Sequence, residues 1–227
     1  RGAGGALTSF FYGNPGDVPF VGDWNCDGVD TPGLYRQSDG FVYLRNSNTQ
    51  GIADIRFFFG NPGDIPLAGD FDGDGCDTVS IYRASEARIY VINELGANDG
   101  GLGAADFNYV FGNPGDKPFV GDFDGNGEAT VGLHRESTGF VYFRNSHTQG
   151  NANAEFFFGD PGDRLVAGAF ERRHVTFVGA MIDHDDTRRL LQCVARLLDG
   201  DPVGELDIDR FGMTDENRHA HAGRRNL

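Results

Sequence analysis

The sequence has little basic charge, few cysteines and no long apolar run. Lys and Arg number 19 of its 227 residues against 34 Asp and Glu, which gives a net charge of −15. This deficit argues against a nucleic-acid partner, because neutralising phosphate requires clustered Lys and Arg. No run approaches the roughly 18 apolar residues of a membrane span, so we expect no membrane insertion. The chain begins at Arg1 without a Met or a leader, which we interpret as a fragment or a processed product.

Glycine and phenylalanine, in contrast, are abundant and recur in a fixed phrase. Phe-Gly-Asn-Pro-Gly-Asp, with small variations, occurs four times, and its leading glycines are Gly13, Gly60, Gly112 and Gly159. The intervals are 47, 52 and 47 residues. A period in this range is typical of repeat architectures, in which each unit is one supersecondary element stacked on its neighbours.

Each unit carries four apolar runs separated by Gly, Asn, Asp and Ser, which predicts four short antiparallel strands. In the first unit we expect strands at Val18–Trp24, Pro32–Arg36, Phe41–Arg45 and Ile55–Phe59. In the second they are Ile65–Phe71, Val79–Arg83, Arg88–Ile92 and Phe107–Phe111. In the third they are Lys117–Phe123, Val131–Arg135, Phe140–Arg144 and Glu155–Phe158.

Units of this size match β-propeller blades, so we predict an all-β, propeller-like fold with four-stranded blades. The repeat region covers about residues 10–170, with blades at about 14–60, 61–112 and 113–159 and a partial fourth from 160. A sheet sandwich is the competing fold, but it does not require near-identical phrases at a fixed phase.

A carboxylate-rich loop follows the first strand of each unit. Oxygen side chains at positions 1, 3 and 5 before a glycine are typical of a calcium cage. We predict two or three structural Ca²⁺ sites with these ligands: Asp23, Asn25, Asp27 and Asp30; Asp70, Asp72, Asp74, the Cys76 carbonyl and Asp77; Asp122, Asp124, Asn126 and Glu128. The second loop is the strongest candidate, whereas the fourth, at Gly168–Arg172, has lost the pattern.

The phrase followed by Gly-Asp-Phe-Asp-Gly-Asp-Gly resembles the FG-GAP repeats of integrin-type β-propellers and the bacterial VCBS-type repeats. In that family the calcium loop joins the first and second strands of a blade, as it does here. The family's last acid usually stands at position 9 of the loop, whereas Asp30 and Asp77 stand at position 8. The resemblance implies attachment to an extracellular protein or carbohydrate ligand.

Three cysteines are too few for a disulfide framework and lack zinc-ligand spacing. Cys26 and Cys76, however, lie in equivalent loops of adjacent units, offset by three positions. Two interpretations stay open: a disulfide between blades, formed in an oxidising compartment, or two free thiols at positions for small residues.

The last 57 residues, 171–227, differ from the repeat and hold 9 of the 19 basic residues. Within them we expect a strand at Val175–Ile182, an amphipathic helix at Thr187–Leu198 and disorder from Glu216 onward. The segment is either a degenerate fourth blade or foreign sequence, and the joint loss of glycine turns and aromatics favours foreign sequence.

Other polar groups have simpler interpretations than catalysis. Asp183–Asp186 is a lone Asp/His cluster without a partner cluster, and we read it as a loop before a helix. His134 is interpreted as a strand residue and His147 as a turn residue. Two sets of polar residues repeat with the units: Arg36, Arg83 and Arg135, and the Arg-Asn-Ser triplets that begin at Arg45 and Arg144. They are either ligand-binding residues or, as we prefer, hydrogen-bond clamps between blades.

The sequence therefore predicts a non-catalytic, calcium-stabilised repeat module for binding or adhesion, secreted or on the cell surface. Millimolar extracellular calcium suits loops of this kind. The alternative is an accessory portion of a larger secreted hydrolase, which an upstream catalytic domain would reveal.

Overall fold

A computed structural model describes residues 9–96, 100–101, 104–169, 177–182 and 192–195. Within these ranges every regular element is a strand, and the all-β class is confirmed. The strands form four sheets that follow one another along the chain. None of the described residues belongs to a helix long and apolar enough to cross a membrane.

The first sheet consists of β1 (Asp17–Gly22), β2 (Thr31–Arg36), β3 (Phe41–Leu44) and β4 (Ile55–Phe58). The second contains β5 (Ile65–Gly69), β6 (Thr78–Arg83) and β7 (Arg88–Val91); after the two-residue β8 (Gly100–Gly101) comes its fourth strand, β9 (Phe107–Val110). The third consists of β10 (Lys117–Gly121), β11 (Thr130–Arg135), β12 (Phe140–Phe143) and β13 (Ala154–Phe157). The fourth has β14 (Arg164–Ala169), β15 (Phe177–Ile182) and β16 (Gln192–Ala195).

All twelve strands expected in the first three units are present, and neighbouring strands within each unit are antiparallel. Only β8 departs from this pattern. Although it belongs to the second unit, it pairs in parallel with β4 of the first sheet, so that Phe57 faces Gly100 and Phe58 faces Gly101. The five extra residues of the second unit thus accompany a segment that covers the outer edge of the preceding sheet.

The hydrophobic core lies at the junctions between consecutive sheets. One cluster joins Leu44 and Phe57 of the first sheet to Val79 and Ile81 of the second. The next joins the second and third sheets, and a third cluster brings Leu165 of the fourth sheet against the third. The sheets therefore stack in series, each burying one face against the next, and the first strands β1, β5, β10 and β14 are neighbours in that order.

The final Asp of the recurring phrase belongs to a partly buried ion pair. This Asp caps the turn, since the Asp64 carboxylate accepts the Asn61 amide at 2.8 Å. Strand register places the same Asp opposite the Arg that ends the second strand, and Arg83 donates to both Asp64 oxygens at 2.9 and 2.8 Å. Gly60 has a φ of +112°, which favours glycine, and a Cβ there would lie 2.8 Å from the Tyr35 hydroxyl.

The clamp is repeated in all three complete units. Arg36 pairs with Asp17 and Arg135 with Asp116, and each Arg also donates to a Tyr hydroxyl of its own third strand. These arginines are therefore hydrogen-bond clamps, which is the interpretation preferred from the sequence. The expectation that they join neighbouring blades is wrong, because each guanidinium bonds within its own unit. Charge-assisted bonds of this kind, two to one carboxylate, are strong and geometrically specific.

The Arg-Asn-Ser triplets also fasten their own loops rather than neighbouring blades. Arg45 donates to the carbonyls of Thr49 and Ile52, both at 2.7 Å, and Arg144 repeats the arrangement with Thr148 and Asn151. The triplets therefore shape the loop between the third and fourth strands of each unit.

The atypical C-terminal segment is described only in part. The strand expected at Val175–Ile182 is present as β15 where the structure describes it. The helix expected at Thr187–Leu198 is wrong for Gln192–Ala195, which form β16 and pair with β15. The rest of that helix and the Asp183–Asp186 cluster lie outside the described residues.

Candidate metal centre

The three Asp-rich loops share one local architecture, in which the first Asp organises the main chain. The Asp70 carboxylate accepts the amides of Gly73, Asp74 and Gly75 at 2.8, 3.1 and 2.9 Å. Asp23 and Asp122 make equivalent bonds in their own loops. The second residue of each loop is a buried aromatic, Trp24, Phe71 or Phe123, which anchors the loop in the core.

The second loop gathers three carboxylates. One oxygen each from Asp70, Asp72 and Asp74 lies within 4.8 Å of the others, with Asp72 and Asp74 exposed. Partial desolvation and the neighbouring carboxylates of Asp74 and Asp70 raise the pKa of Asp72. Like charges held this close repel each other, and a cation between them would relieve that repulsion.

The first and third loops each replace one of these carboxylates by an amide. Asn25 occupies the middle position of the first loop, and its Nδ2 donates to Asp27 at 3.1 Å. Asn126 occupies the last position of the third loop, where its Oδ1 accepts the Glu128 amide at 2.7 Å. Both loops therefore offer two carboxylates and one amide oxygen, a weaker set than that of the second loop.

The late positions of the loops have a role that the sequence did not predict. The Asp77 carboxylate accepts the Asp23 amide of the first sheet at 2.9 Å, and the Asp77 amide donates to the Asp23 carbonyl at 3.1 Å. In the third loop the Ala129 amide donates to the Asp70 carbonyl at 2.6 Å. Asp77 and Ala129 thus tie the second and third loops to the loop of the preceding sheet. Burial raises the pKa of Asp77, with Asp30 and Asp23 adding to the effect.

A disulfide joins the first two loops. Cys26 and Cys76 are bonded, with their Cα atoms 4.8 Å apart. Of the two interpretations of these residues, the structure therefore has the disulfide and not the free thiols. Cys26 has a φ of +61° at the loop position that Gly73 and Gly125 fill elsewhere. The Cys76 amide also donates to Asp74, so the disulfide adjoins the three-carboxylate cluster.

The donor set fits a hard cation such as calcium. Carboxylate and amide oxygens at alternating positions, with glycine allowing the turn, are what Ca²⁺ loops use, whereas structural zinc sites are built from Cys and His. Asp70, Asp72 and Asp74 would hold the ion, and the bound charge would offset part of the acidity of the loop.

Two histidines are more buried than their sequence positions suggested. His134 lies in β11, as expected of a strand residue, but is 0% exposed with neither ring nitrogen hydrogen-bonded. His147 lies in the loop after β12, also as expected, and packs against the rings of Phe71, Phe107 and Tyr109 of the second sheet. Desolvation lowers the pKa of both.

No family model, curated protein or solved structure matches this chain. Support for a function therefore comes from the loops and the sheets themselves.

Proposed function

We propose that this chain is a non-catalytic, calcium-stabilised module of the β-propeller type that binds a protein or glycan outside the cell. The observation that carries the proposal is the cluster of Asp70, Asp72 and Asp74, with two variants of the same loop at the same phase of neighbouring sheets. A single acidic loop is a common surface feature, whereas the repetition of one hydrogen-bonded architecture in three loops favours a shared ligand.

The stacking of the sheets supports the propeller-type arrangement. Four-stranded antiparallel sheets follow one another, and their first strands are neighbours in chain order. Blades of a propeller place their first strands around a central axis in this manner. The calcium loops, each directly after a first strand, would then lie together at one end of that axis.

The disulfide between Cys26 and Cys76 supports an extracellular location. Disulfides persist in oxidising compartments and are rare where thiols are kept reduced. The same compartments supply millimolar calcium, which matches loops with a limited number of charged ligands. A net charge of −15 favours a partner that is not a nucleic acid.

Calorimetric titration of the chelator-treated chain with Ca²⁺ tests the metal proposal directly. We expect uptake of two or three ions and a melting temperature that rises with calcium, because ligand binding to the folded state stabilises it. Absence of uptake together with an unchanged melting temperature in EDTA would contradict the proposal. Attachment is tested by retention on immobilised glycans and matrix proteins in calcium and in EDTA, and retention on none of them would contradict the binding role.

A further inference from the structure

The third Asp-rich loop contains the only Asn-Gly pair of the sequence, Asn126–Gly127. The same place is taken by Asp27–Gly28 in the first loop and by Asp74–Gly75 in the second. At its other two ligand positions the third loop has the same carboxylates as the second, so it differs from the three-carboxylate cluster by a single amide. Conversion of the Asn126 amide to a carboxylate would give both loops the same charged groups.

An Asn that precedes Gly can react with its own main chain. The Gly127 nitrogen attacks the side-chain carbon Cγ of Asn126, a cyclic succinimide closes, and the side-chain nitrogen leaves as ammonia. Water then opens the ring at one of its two carbonyl carbons, so that the amide and one water become aspartate or isoaspartate and ammonia. Glycine favours this attack because it has no Cβ to hinder the close approach of its main chain.

The surroundings of the pair leave room for this rearrangement. Both residues are exposed, and a Cβ built on Gly127 would meet no atom within 4 Å. Asn25 of the first loop is exposed too, but it precedes Cys26, whose side chain hinders the attack. Three other Asn residues, in the recurring phrase, precede Pro, whose nitrogen carries no hydrogen. The reaction is therefore directed to Asn126.

Two hydrogen bonds hold the pair while the loop is closed. The Gly127 amide donates to the Asp122 carboxylate at 2.9 Å, and the Asn126 Oδ1 accepts the Glu128 amide at 2.7 Å. The first bond keeps the nitrogen from attacking, so the reaction requires the loop to open. Exposed hydrogen bonds of this kind open locally with little loss of free energy. A cation bound to the Asp122 carboxylate and the Asn126 oxygen would hold the loop closed.

Aspartate fits the closed loop at this position, whereas isoaspartate does not. In the second loop the Asp74 Oδ1 accepts the Cys76 amide at 2.9 Å, which is the bond that Asn126 makes to Glu128. An aspartate in place of Asn126 therefore keeps this bond and adds a negative charge to the loop. Isoaspartate lengthens the main chain by one methylene before Gly127, which displaces that amide from the carboxylate it binds. The two products thus affect a bound cation in opposite directions.

We propose that Asn126 is a site of spontaneous deamidation in the metal-free chain, and that its aspartate product gives the third loop the carboxylate set of the second. The reaction uses only water and the atoms of the chain itself. Its consequence for calcium rests on the proposed function, whereas the reaction does not.

Incubation of the full chain at mildly alkaline pH, in EDTA and in calcium, tests the reaction by peptide mapping with mass spectrometry. We expect Asn126 to gain the mass of an amide-to-acid conversion before any other Asn, with Asn25 as the internal comparison. Calcium at about ten times its Kd should slow the reaction about tenfold, since binding lowers the open population in that proportion. No deamidation at Asn126 in EDTA, or earlier deamidation elsewhere, would overturn the site. An equal rate in calcium would overturn the protection by calcium while confirming the reaction.

Asn126→Asp reproduces the aspartate product and tests its consequence by calorimetric titration. It should bind calcium at the third loop about tenfold more tightly than the parent chain, because a carboxylate replaces a neutral amide beside the ion. Asn108→Asp is the matched control, since it makes the same change at an exposed position of β9 and should leave the affinity unchanged. Unchanged affinity in Asn126→Asp would refute the gain. Calcium uptake by neither chain would contradict the proposed function and leave the deamidation unaffected.

Discussion

Asp77 and Asp23, in neighbouring sheets, bond each other twice: the Asp77 amide donates to the Asp23 carbonyl, and the Asp77 carboxylate accepts the Asp23 amide at 2.9 Å. Asp23 is also the residue that organises the first loop. The geometry of one candidate metal loop is therefore fixed partly by the next loop along the chain, and the disulfide between Cys26 and Cys76 reinforces the same connection.

Asp77→Ala should destabilise the fold by about 1–3 kcal/mol, because the partly buried Asp23 amide loses its acceptor. Asp77→Asn is the matched control, since its side-chain oxygen accepts the same bond, and it should cost less than about 1 kcal/mol. Urea unfolding in EDTA measures both without a contribution from calcium. Equal losses in the two variants would show that the carboxylate charge, and not the hydrogen bond, is what matters.

Asp72→Ala, in the second loop, should weaken calcium binding more than Asp124→Ala, in the third loop. Only the second loop gathers three carboxylates, so removing one there eliminates a larger part of the attraction for the cation. We expect a loss of about tenfold or more in affinity, or about 1.4 kcal/mol, measured by calorimetric titration. Glu155→Gln is the control for removal of one acidic charge, and a larger effect of Asp124→Ala would contradict the ranking of the loops.

Cys26→Gly and Cys76→Ser both remove the disulfide but should not be equally harmful. The bond closes a loop of 50 residues, for which the chain-entropy estimate of stabilisation is about 4 kcal/mol. Cys26→Gly also relieves the left-handed conformation at φ +61°, worth about 1 kcal/mol. Urea unfolding under non-reducing conditions should therefore find Cys26→Gly the more stable variant, and the reverse order would contradict the strain argument.

The strands were predictable because each is bounded by the recurring phrase or by Gly and Asp turns, and local composition settles such boundaries. The pairing of β8 with β4 was not, since Gly100–Gly101 carry no apolar alternation and their partner belongs to another unit. The helix expected around Gln192 failed because pairing with β15 outweighs a weak 3.6-residue periodicity.

The clustering of Asp70, Asp72 and Asp74 was predictable for a similar reason, because spacing within one loop reveals it. The sequence did not predict that the Asp77 carboxylate accepts the Asp23 amide, because this contact depends on which loops of neighbouring sheets lie side by side. The burial of His134 was signalled in part, because it takes the position of Tyr35 and Tyr82 in the other units. Its unpaired nitrogens follow only from the three-dimensional junction.

Gly40→Ala should destabilise the chain by more than about 2 kcal/mol, whereas Ala87→Gly at the equivalent position should change stability by less than about 1 kcal/mol. Gly40 has a φ of +77°, and a Cβ there would lie 2.6 Å from the Gly60 carbonyl oxygen. Ala87 already adopts a φ of +49°. Its replacement by glycine relieves the strain of that conformation but removes a buried methyl group, so the two effects offset each other. Gly139, with the same close approach to Gly159, serves as a replicate, and a neutral Gly40→Ala would contradict the argument.

Stability should fall as the pH drops below about 6.5, the ordinary pKa of histidine. Desolvation lowers the pKa of His134, against the opposing effect of Glu136, Asp163 and Asp116, and it lowers the pKa of His147 against Glu128. Between the folded and unfolded pKa values the unfolded chain binds more protons. The contribution of the two neutral histidines to the free energy of unfolding is therefore complete above pH 6.5. It is lost as the pH falls toward the pKa values of these histidines in the folded chain.

A double variant separates this effect from the titration of the carboxylates. His134→Tyr and His147→Asn introduce the residues of the first unit, Tyr35 and Asn48, and remove both titrating groups. Urea unfolding in EDTA at about pH 7.5, 6.5 and 5.5 should show a clear loss of stability for the parent chain, where each unit of pKa shift corresponds to about 1.4 kcal/mol. The double variant should be nearly flat over that range. An equal slope in both proteins would assign the pH dependence to other groups. Asp77 would not be one of them, because its pKa is raised and its protonation favours the folded state at low pH, which is the opposite sign.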